Sequence, residues 1–261
     1  MSVLSVIIIA KNEQENIRDC LESVRWADEI IVVDSGSTDK TVQYARAFTK
    51  KIYQKKWIGF GETKNFAISK TRGDWVFSID ADERVTPELA SEIRGAMKPQ
   101  GGSYSAFSMP RKAFFLGRWI RHCGWYPGRV VRLFEKKSGS FTDAAVHESL
   151  VVKGRVGSLT ADLLHYTDPN LGHYFHKFNR YTTLAAEGLR LQGTSFSFGQ
   201  LLYKPFWTFI RMYIVKLGFL DGIPGFVLSV LSSCYVFTKY AKLWELDRAS
   251  VTEPYDPRRK R

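Results

Sequence analysis

The chain has 261 residues, of which 44% are hydrophobic and 14% aromatic, so it is long enough for one large domain and too apolar for a disordered protein. Its 38 Lys and Arg residues outnumber its 26 Asp and Glu residues and give a formal net charge of +12. This charge favours negatively charged partners, namely phosphates, anionic lipids, nucleic acids or acidic glycans, without choosing among them.

Short apolar runs alternate with amphipathic segments through the first hundred residues. A nearly continuous apolar run predicts a buried parallel strand, and apolar residues at the spacing i, i+3, i+4, i+7 predict a helix with one buried face. In chain order the sequence predicts a strand at 3–9, a helix through 17–24, a strand at 29–34, a helix through 42–45, a short strand at 52–53, a helix around 64–70, a strand at 74–80 and a helix that Thr86 caps and Pro87 opens. The expected fold class is therefore α/β, with a mostly parallel sheet flanked by helices.

The pattern changes after about residue 100. Shorter apolar pieces follow at 104–109 and 130–134, and from about residue 199 the composition becomes strongly apolar and aromatic. We therefore predict a first domain over 1–198 and a separate C-terminal helical region over 199–261.

The cysteines and the first residues bear on the compartment. Cys20, Cys123 and Cys234 are far apart and form no CxxC pair, which argues against a disulfide framework or a zinc knuckle and suits a reducing environment. The chain passes from Met1 into an apolar run without the basic segment of a secretory signal. We expect cytoplasmic chemistry.

Acidic residues end two of the predicted strands. Asp34 and Asp80 should meet at one edge of a parallel sheet, where ligands bind outside the carboxyl ends of the strands. The run Asp80-Ala81-Asp82-Glu83 places three carboxylates within four residues, and their repulsion requires a positive partner. Mg or Mn is the natural one, because hard cations bridge carboxylates to a diphosphate and neutralise it as a leaving group. An exposed acidic turn is the alternative interpretation.

The order of these motifs carries a family resemblance. A strand followed by Lys-Asn-Glu, a strand followed by Asp-Ser-Gly-Ser-Thr-Asp and a strand ending in Asp-Ala-Asp-Glu closely resemble the family-2 inverting glycosyltransferases of GT-A fold, over residues 1 to about 100. The resemblance implies a nucleotide-sugar donor, with 1–100 as the donor half and 101–198 as the acceptor half. The positions that it implies for contact with the donor are Ala10, Asn12, Glu13, Asp34, Lys64, Asn65 and Asp80, with Asp82 as the metal ligand. Ser35 departs from the pattern, because many relatives have a second acid there.

A narrower resemblance covers part of the second half. The segments 125–128, 132–134 and 146–148 resemble bacterial enzymes that add glucose to the heptose of the lipopolysaccharide inner core, which implies UDP-glucose as the donor. Arg132, like Arg129, is a candidate for bidentate contact with phosphate, although an ordinary surface or structural role is an equal alternative.

His165 occupies the place where many GT-A enzymes have a further metal ligand. A histidine packed in the core is the alternative interpretation of this residue.

An inverting displacement also needs a base within hydrogen-bond reach of the acceptor hydroxyl. With the donor-side acids assigned to ribose and metal, the candidates are Asp143, His147, Glu148 and Asp162. We predict Glu148 as the base, because related enzymes place an acceptor-side acid in this part of the fold. His147 is a second candidate, as the base itself or as the partner that orients Glu148, and an ordinary surface pair of His147 and Glu148 is the alternative interpretation.

The C-terminal region has the composition of a membrane-associated segment. Residues 206–215 are apolar and aromatic, interrupted by Arg211 and flanked by lysines, as in a helix that lies in the headgroup plane. The uncharged stretch 222–238 contains Pro224 and Gly225 and is at the short limit for a span, so we do not expect a clean single span. Four basic residues at 258–261 would favour an anionic leaflet.

We therefore predict peripheral or monotopic attachment to the cytoplasmic face of the inner membrane, beside a lipid-linked glycan acceptor. Packing against the rest of the protein is the alternative for these helices.

Three other functions remain as alternatives at this point. A polyprenyl-phosphate sugar transferase would share the donor half. A phosphatase of the haloacid dehalogenase type also uses two aspartates, but its nucleophile would end the first strand, where this chain has Ala10-Lys11-Asn12. A nucleic-acid binder would explain the charge, yet no recognisable binding motif accompanies the basic residues.

Overall fold

The computed structural model of the protein describes residues 2–57, 59–98, 104–142 and 149–249. The chain divides into two compact units, Met1–Phe114 with Tyr126–Thr167, and Phe115–Trp125 with Asp168–Arg261. The predicted boundary at 198/199 lies inside the second unit, and the functional division of the chain remains a prediction.

The first part of the first unit alternates strands and helices. In chain order these are β1 (Leu4–Ala10), α1 (Ile17–Ser23), β2 (Glu29–Asp34), α2 (Thr41–Ala45), β3 (Ile52–Gln54), α3 (Phe60–Lys70), β4 (Trp75–Asp80), β5 (Glu83–Val85) and α4 (Pro87–Ala96). The predicted strands and helices of this region are confirmed. Thr86 caps α4 as expected, because its side chain accepts a hydrogen bond from the amide of Leu89 at 3.2 Å.

Shorter strands follow, and then long helices. They are β6 (Tyr104–Met109), β7 (Arg111–Phe115), β8 (Arg118–Trp119), β9 (Val130–Glu135), β10 (Gly139–Phe141), β11 (Leu150–Val152), β12 (Arg155–Ser158), β13 (Leu163–Asp168), α5 (Leu171–Leu191), α6 (Phe198–Phe209) and α7 (Gly222–Ala249). A π-helical turn at Ile210–Val215 and a 3-10 turn at Gly218–Asp221 join α6 to α7.

The large sheet of the first unit has the strand order β12-β6-β9-β4-β1-β2-β3. Strand β1 runs parallel to β2 and β4, and β2 runs parallel to β3, whereas β9 is antiparallel to β4 and β6. The register pairs Ala10 with Asp34 and Ile9 with Asp80. The carboxyl ends of β1, β2 and β4 therefore meet at one edge, and the predicted α/β class, a mostly parallel sheet flanked by helices, is confirmed.

Both faces of this sheet are covered, which explains why its central strands read as continuous apolar runs. On one face Val6 and Ile8 pack with Ile17 of α1 and Leu89 of α4. On the other face the strand residues, including Ile7 of β1, pack with α3. Successive residues of β1 thus enter opposite layers of the core.

A smaller sheet carries β5, β13 and β7 in that order. Strand β13 pairs antiparallel with β5, in a register that places His165 opposite Glu83. Strands β10 and β11 form a separate antiparallel pair.

The second unit is mainly helical. Within the described part of the chain, one helix, Gly218–Arg248, is long and apolar enough to cross a membrane by length and composition, with 31 residues and a mean hydropathy of 1.5. Pro224 is the third residue of α7, where its missing N–H removes no helical hydrogen bond. The helix meets the length and composition of a span, and the expectation that it does not form a clean single span stays a prediction.

Candidate active site

The turns after β1 and β2 hold each other in place. The Asn12 side chain accepts a hydrogen bond from the amide of Thr38 at 2.8 Å, and the amide of Glu13 donates to the Thr41 hydroxyl at 2.8 Å. The carboxylate of Asp34 is buried and accepts the amides of Gly36 and Ser37 at 3.2 Å. Ala10, Asn12, Glu13 and Asp34, predicted to face the base and ribose, thus lie together at the carboxyl edge of the sheet.

The turn after β4 is organised around Arg132 of β9. One guanidinium nitrogen of Arg132 contacts Oδ2 of Asp80 at 2.5 Å and Oε1 of Glu83 at 2.7 Å. The other carboxylate oxygen of Glu83 accepts the amide of Asp80 at 3.0 Å. Arg132 is only 8% exposed, so it is held among the acids, and the predicted contact with a phosphate would require it to leave them.

The pKa values of the two acids move in opposite directions. Burial disfavours the charged form of Asp80, but the positive charges of Arg132 and Lys64 hold its pKa well below the ordinary value. Glu83 is fully buried, and this burial raises its pKa in spite of the opposing charge of Arg132. Asp80 is therefore a permanent hydrogen-bond acceptor.

Helix α3 brings two predicted donor-contacting residues to this edge. Lys64 is buried, and its ammonium nitrogen lies 3.5 Å from Oδ1 of Asp80. The side-chain amide of Asn65 donates to the carbonyl of Phe141 at 2.8 Å and accepts the amide of Phe141 at 2.9 Å. In this structure Asn65 therefore fixes β10 to α3.

The smaller sheet brings His165 to the acidic turn. Because β13 pairs with β5, Nε2 of His165 lies 3.4 Å from Oδ2 of Asp82. The amide of Tyr166 also donates to the carbonyl of Asp82 at 2.9 Å. The structure thus unites the two residues predicted to share a metal ion.

The chain matches a known protein family over more than half of its length. The model of the family described as Glycosyl transferase family 2 matches residues 5–147, which is more than half of the chain. The chain belongs to glycosyl transferase family 2. It is therefore a glycosyltransferase, as the motif order predicted.

Relatives of this family 2 glycosyltransferase extend over nearly its whole length. An uncharacterized glycosyltransferase of Rickettsia typhi is 32% identical over 261 aligned residues. The alignment covers 96% of this chain and 89% of the Rickettsia protein. LpsC of Rhizobium meliloti, a lipopolysaccharide core biosynthesis glycosyltransferase, is 28% identical. The alignment covers 93% of this chain and 92% of LpsC. Among solved structures, residues 1–349 of S. aureus TarS in complex with UDP align with 97% of this chain and 94% of that one, at 16% identity and a TM-score of 0.47.

Asp82 and His165 fit a divalent metal ion. Adjacent ligands of an octahedral ion at about 2.1 Å lie roughly 3.0 Å apart, close to the observed 3.4 Å between Oδ2 and Nε2. The buried Nδ1 of His165 has no hydrogen-bond partner among the described residues. Among those residues no third His, Cys, Asp or Glu side chain joins this pair as a possible metal ligand. Oxygens of the diphosphate and water would therefore complete the coordination.

Fewer carboxylates of the Asp80–Glu83 turn need a metal ion than the sequence suggested. Three neighbouring carboxylates were expected to need a divalent ion, but Arg132 and Lys64 compensate Asp80 and Glu83. Asp82 is left as the carboxylate for a metal. The sequence offered no signal for these pairings, because they join residues far apart in the chain.

The predicted catalytic base falls in a segment that is not described. Asp143, His147 and Glu148 lie outside the described residues. The remaining candidate, Asp162, accepts a hydrogen bond from the Tyr126 hydroxyl at 3.1 Å. The basic residues 258–261 also lie outside the described part.

Proposed function

We propose that this glycosyltransferase is a metal-dependent inverting enzyme that moves glucose from UDP-glucose onto the heptose of the lipopolysaccharide inner core. The observation that carries the proposal is the grouping of Asp80, Asp82 and His165 where β1, β2 and β4 end. The similarity to LpsC over nearly the whole chain supports the class of acceptor.

The donor would bind across the turns after β1 and β2. Asn12 and Asp34 fix these turns through hydrogen bonds from neighbouring backbone amides, and the nucleotide base would lie against this backbone. Asp80, held ionised between Arg132 and Lys64, would accept hydrogen bonds from ribose hydroxyls.

The diphosphate would lie beside Asp82 and His165. These two residues would hold Mg²⁺ or Mn²⁺, which neutralises the negative charge that develops on the departing nucleotide diphosphate. Lys64 supplies a buried positive charge 3.5 Å from Asp80 on the same edge of the sheet. In this proposal the cations of Arg132 and Lys64 stay next to Asp80 and Glu83, and the carboxylate of Asp82 and the imidazole of His165 would bind the metal.

The acceptor hydroxyl must lose a proton as it attacks the anomeric carbon from the side opposite the diphosphate. Glu148 is the proposed base, with His147 as its orienting partner or substitute. The residues on either side of their segment are fixed, because the amide of Thr142 donates to the carbonyl of Ser149 at 3.0 Å and Asn65 holds Phe141.

The proposed location is the cytoplasmic face of the inner membrane, with peripheral or monotopic attachment through the second unit. An anionic membrane surface is thus a proposed partner, together with the nucleotide-sugar donor and the lipid-linked glycan. Large apolar side chains on α6, among them Phe206 and Trp207, are 65% and 44% exposed. Apolar residues of this size at the surface mark an interaction site.

A donor and acceptor screen tests the proposal. Purified full-length protein with Mn²⁺ or Mg²⁺ is given a set of nucleotide sugars, and nucleotide release is measured with heptose-containing core oligosaccharide or with polyprenyl phosphate. We expect release from UDP-glucose only with the oligosaccharide, and a product with inverted anomeric configuration. A polyprenyl-phosphate product would establish the alternative function instead.

A further inference from the structure

The second unit has an exposed apolar tip where α6 turns into α7. We call residues 214–223 the apolar tip. Six of its large side chains are between 45% and 80% exposed: Ile214, Val215, Leu217, Phe219, Leu220 and Ile223. Contiguous exposed apolar residues of this kind indicate a binding surface.

The backbone of the tip is built to present these side chains. Leu217 adopts a left-handed conformation with φ of 55°, which is strained for leucine. A Cβ atom on Gly218 would lie 2.7 Å from the carbonyl oxygen of Met212, and one on Gly225 would lie 2.2 Å from that of Gly218. Glycines thus permit a close turn that holds Leu217 outward, an arrangement that suggests a partner outside the protein.

Basic side chains lie within the apolar tip and in the segments next to it. We call the exposed side chains of Arg118, Arg121, Arg211 and Lys216 the basic collar. The buried carboxylate of Asp221 accepts the amides of Arg121 and His122 at 3.2 and 2.8 Å, which fixes the segment with Arg118 and Arg121 against the tip.

The segments that form the tip and lie next to it in the second unit carry a single acid. Asp221 is the sole acid in residues 115–125 and 188–244, and it is 2% exposed. The tip and these segments therefore present apolar and cationic side chains, while their single carboxylate is buried.

We propose that the apolar tip inserts into the interfacial layer of an anionic bilayer and that the basic collar contacts the lipid phosphates. This inference rests on the membrane attachment in the proposed function and names the element that performs it. Apolar side chains with adjacent cations suit the boundary between headgroups and acyl chains.

The packing of α5 along α7 argues for shallow insertion. The Tyr174 hydroxyl donates to the carbonyl of Leu231 at 3.3 Å, and Lys242 donates to the side chain of Asn179 at 2.8 Å. Helix α5 also exposes Arg180 and Glu187. A span by all of α7 would draw these charges into hydrocarbon, which is unfavourable, so only the end of α7 next to the tip enters the membrane.

Vesicle binding tests the inference. Full-length protein is sedimented with phosphatidylcholine vesicles that contain or lack phosphatidylglycerol. We expect binding to the anionic vesicles, a loss of at least tenfold for Ile223→Glu, and a loss of at least fivefold for Arg118→Gln/Arg121→Gln. Leu191→Glu is the matched control, because Leu191 is 89% exposed against 80% for Ile223, and it should bind like the wild type.

The depth of insertion has a native probe. Cys234 of α7 is exposed, whereas Cys20 and Cys123 are buried. On anionic vesicles Cys234 should stay reactive towards an impermeant maleimide, while a cysteine in Ile223→Cys should become protected. Protection of Cys234 would overturn shallow insertion.

Two further results separate the inference from the proposed function. If Ile223→Glu loses vesicle binding but still transfers sugar to soluble core oligosaccharide, both the membrane inference and the proposed function are supported. If the wild type binds vesicles through the tip but transfers sugar to no acceptor, only the proposed function fails. Vesicle binding by Ile223→Glu at the wild-type level overturns the inference. A dimer that Ile223→Glu dissociates, without vesicle binding by the wild type, would assign the tip to a second copy of the chain.

Discussion

The imidazole Nε2 of His165 lies 3.4 Å from the carboxylate Oδ2 of Asp82, although the two residues are far apart in the sequence. The antiparallel register of β13 with β5 produces this contact, since it sets His165 opposite Glu83, the residue after Asp82. The smaller sheet thus brings together the two proposed metal ligands, with His165 on β13 and Asp82 directly before β5, close to Asp80 at the end of β4.

The first prediction concerns this pair. Asp82→Asn should abolish nearly all sugar transfer while the circular dichroism spectrum stays unchanged, because the amide keeps the size of the side chain but loses the charge that binds a divalent ion. Transfer is measured as UDP release in a Mn²⁺ titration, and Mn²⁺ binding in the presence of UDP is followed separately by electron paramagnetic resonance. A chelator should inhibit the wild type reversibly.

Asp19→Asn is the matched control, because Asp19 is 74% exposed and its carboxylate lies 3.6 Å from the guanidinium of Arg84, two residues after Asp82. It removes one carboxylate without touching Asp82 or His165 and should keep wild-type transfer. Full activity of a metal-free preparation would refute the metal role.

The second prediction concerns the buried ion pairs of Arg132. Arg132→Met leaves Asp80 and Glu83 without the guanidinium that they share, and breaking a buried pair in this way costs about 3–5 kcal/mol of unfolding free energy. Urea denaturation measures the loss. The double variant Glu83→Gln/Arg132→Met should lose less than the sum of the two single variants, because neither charge is then left alone. Additive losses would show that the pair is not coupled.

The fold of the first hundred residues could be predicted because local patterns determine it. Strands β1, β2 and β4 are buried on both faces and appear as apolar runs, and Thr86 and Pro87 mark the start of α4. The smaller sheet could not be predicted, because strands such as β5 have three residues, too few to show a period. The full length of helix α7 could not be predicted from the uncharged stretch 222–238, because the helix continues through Lys239 and Lys242.

The candidate site was located by its motifs, but its pairings were not. The sequence identified Asp80, Asp82, Lys64 and His165, and the structure brings their side chains together. It could not show that Arg132 holds Asp80 and Glu83, because that contact depends on the antiparallel addition of β9 next to β4. Long-range strand order is not encoded in the periodicity of one chain.

The third prediction is a pH dependence of stability that arises from Glu29. Burial alone would raise the pKa of Glu29, but hydrogen bonds from the Lys51 and Ser5 side chains and the amide of Arg72 lower it from 4.5 to about 2. A lowered pKa contributes stability above the unfolded value of 4.5 and loses it as the pH falls towards 2. Glu29→Gln should therefore be less stable than the wild type at pH 7, by on the order of 2 kcal/mol.

This difference should shrink steadily below about pH 4.5 and vanish near pH 2. Urea unfolding of both proteins across this range measures it. Glu22→Gln is the control, because Glu22 is 60% exposed and its contact with Arg25 at 3.6 Å is a surface pair, which contributes little. A Glu29→Gln deficit that is independent of pH would assign the effect to packing and not to ionisation.

The last prediction concerns the base. Glu148 lies outside the described residues, but the residues on both sides of its segment are anchored: Thr142 and Ser149 exchange two hydrogen bonds at 3.0 Å, and Asn65 of α3 binds both backbone groups of Phe141. Asn65 follows Lys64, which contacts Asp80, so the anchor of the segment and the donor-side acid are connected through one helix.

Glu148→Gln keeps the size and hydrogen bonding of the side chain and removes its basicity. Because a general base contributes roughly 10²- to 10⁴-fold, turnover should fall by about that factor while donor binding, measured by calorimetry with UDP, stays unchanged. If Glu148→Gln keeps more than about a tenth of wild-type turnover, His147 or Asp143 is the base, and His147→Gln then separates these two.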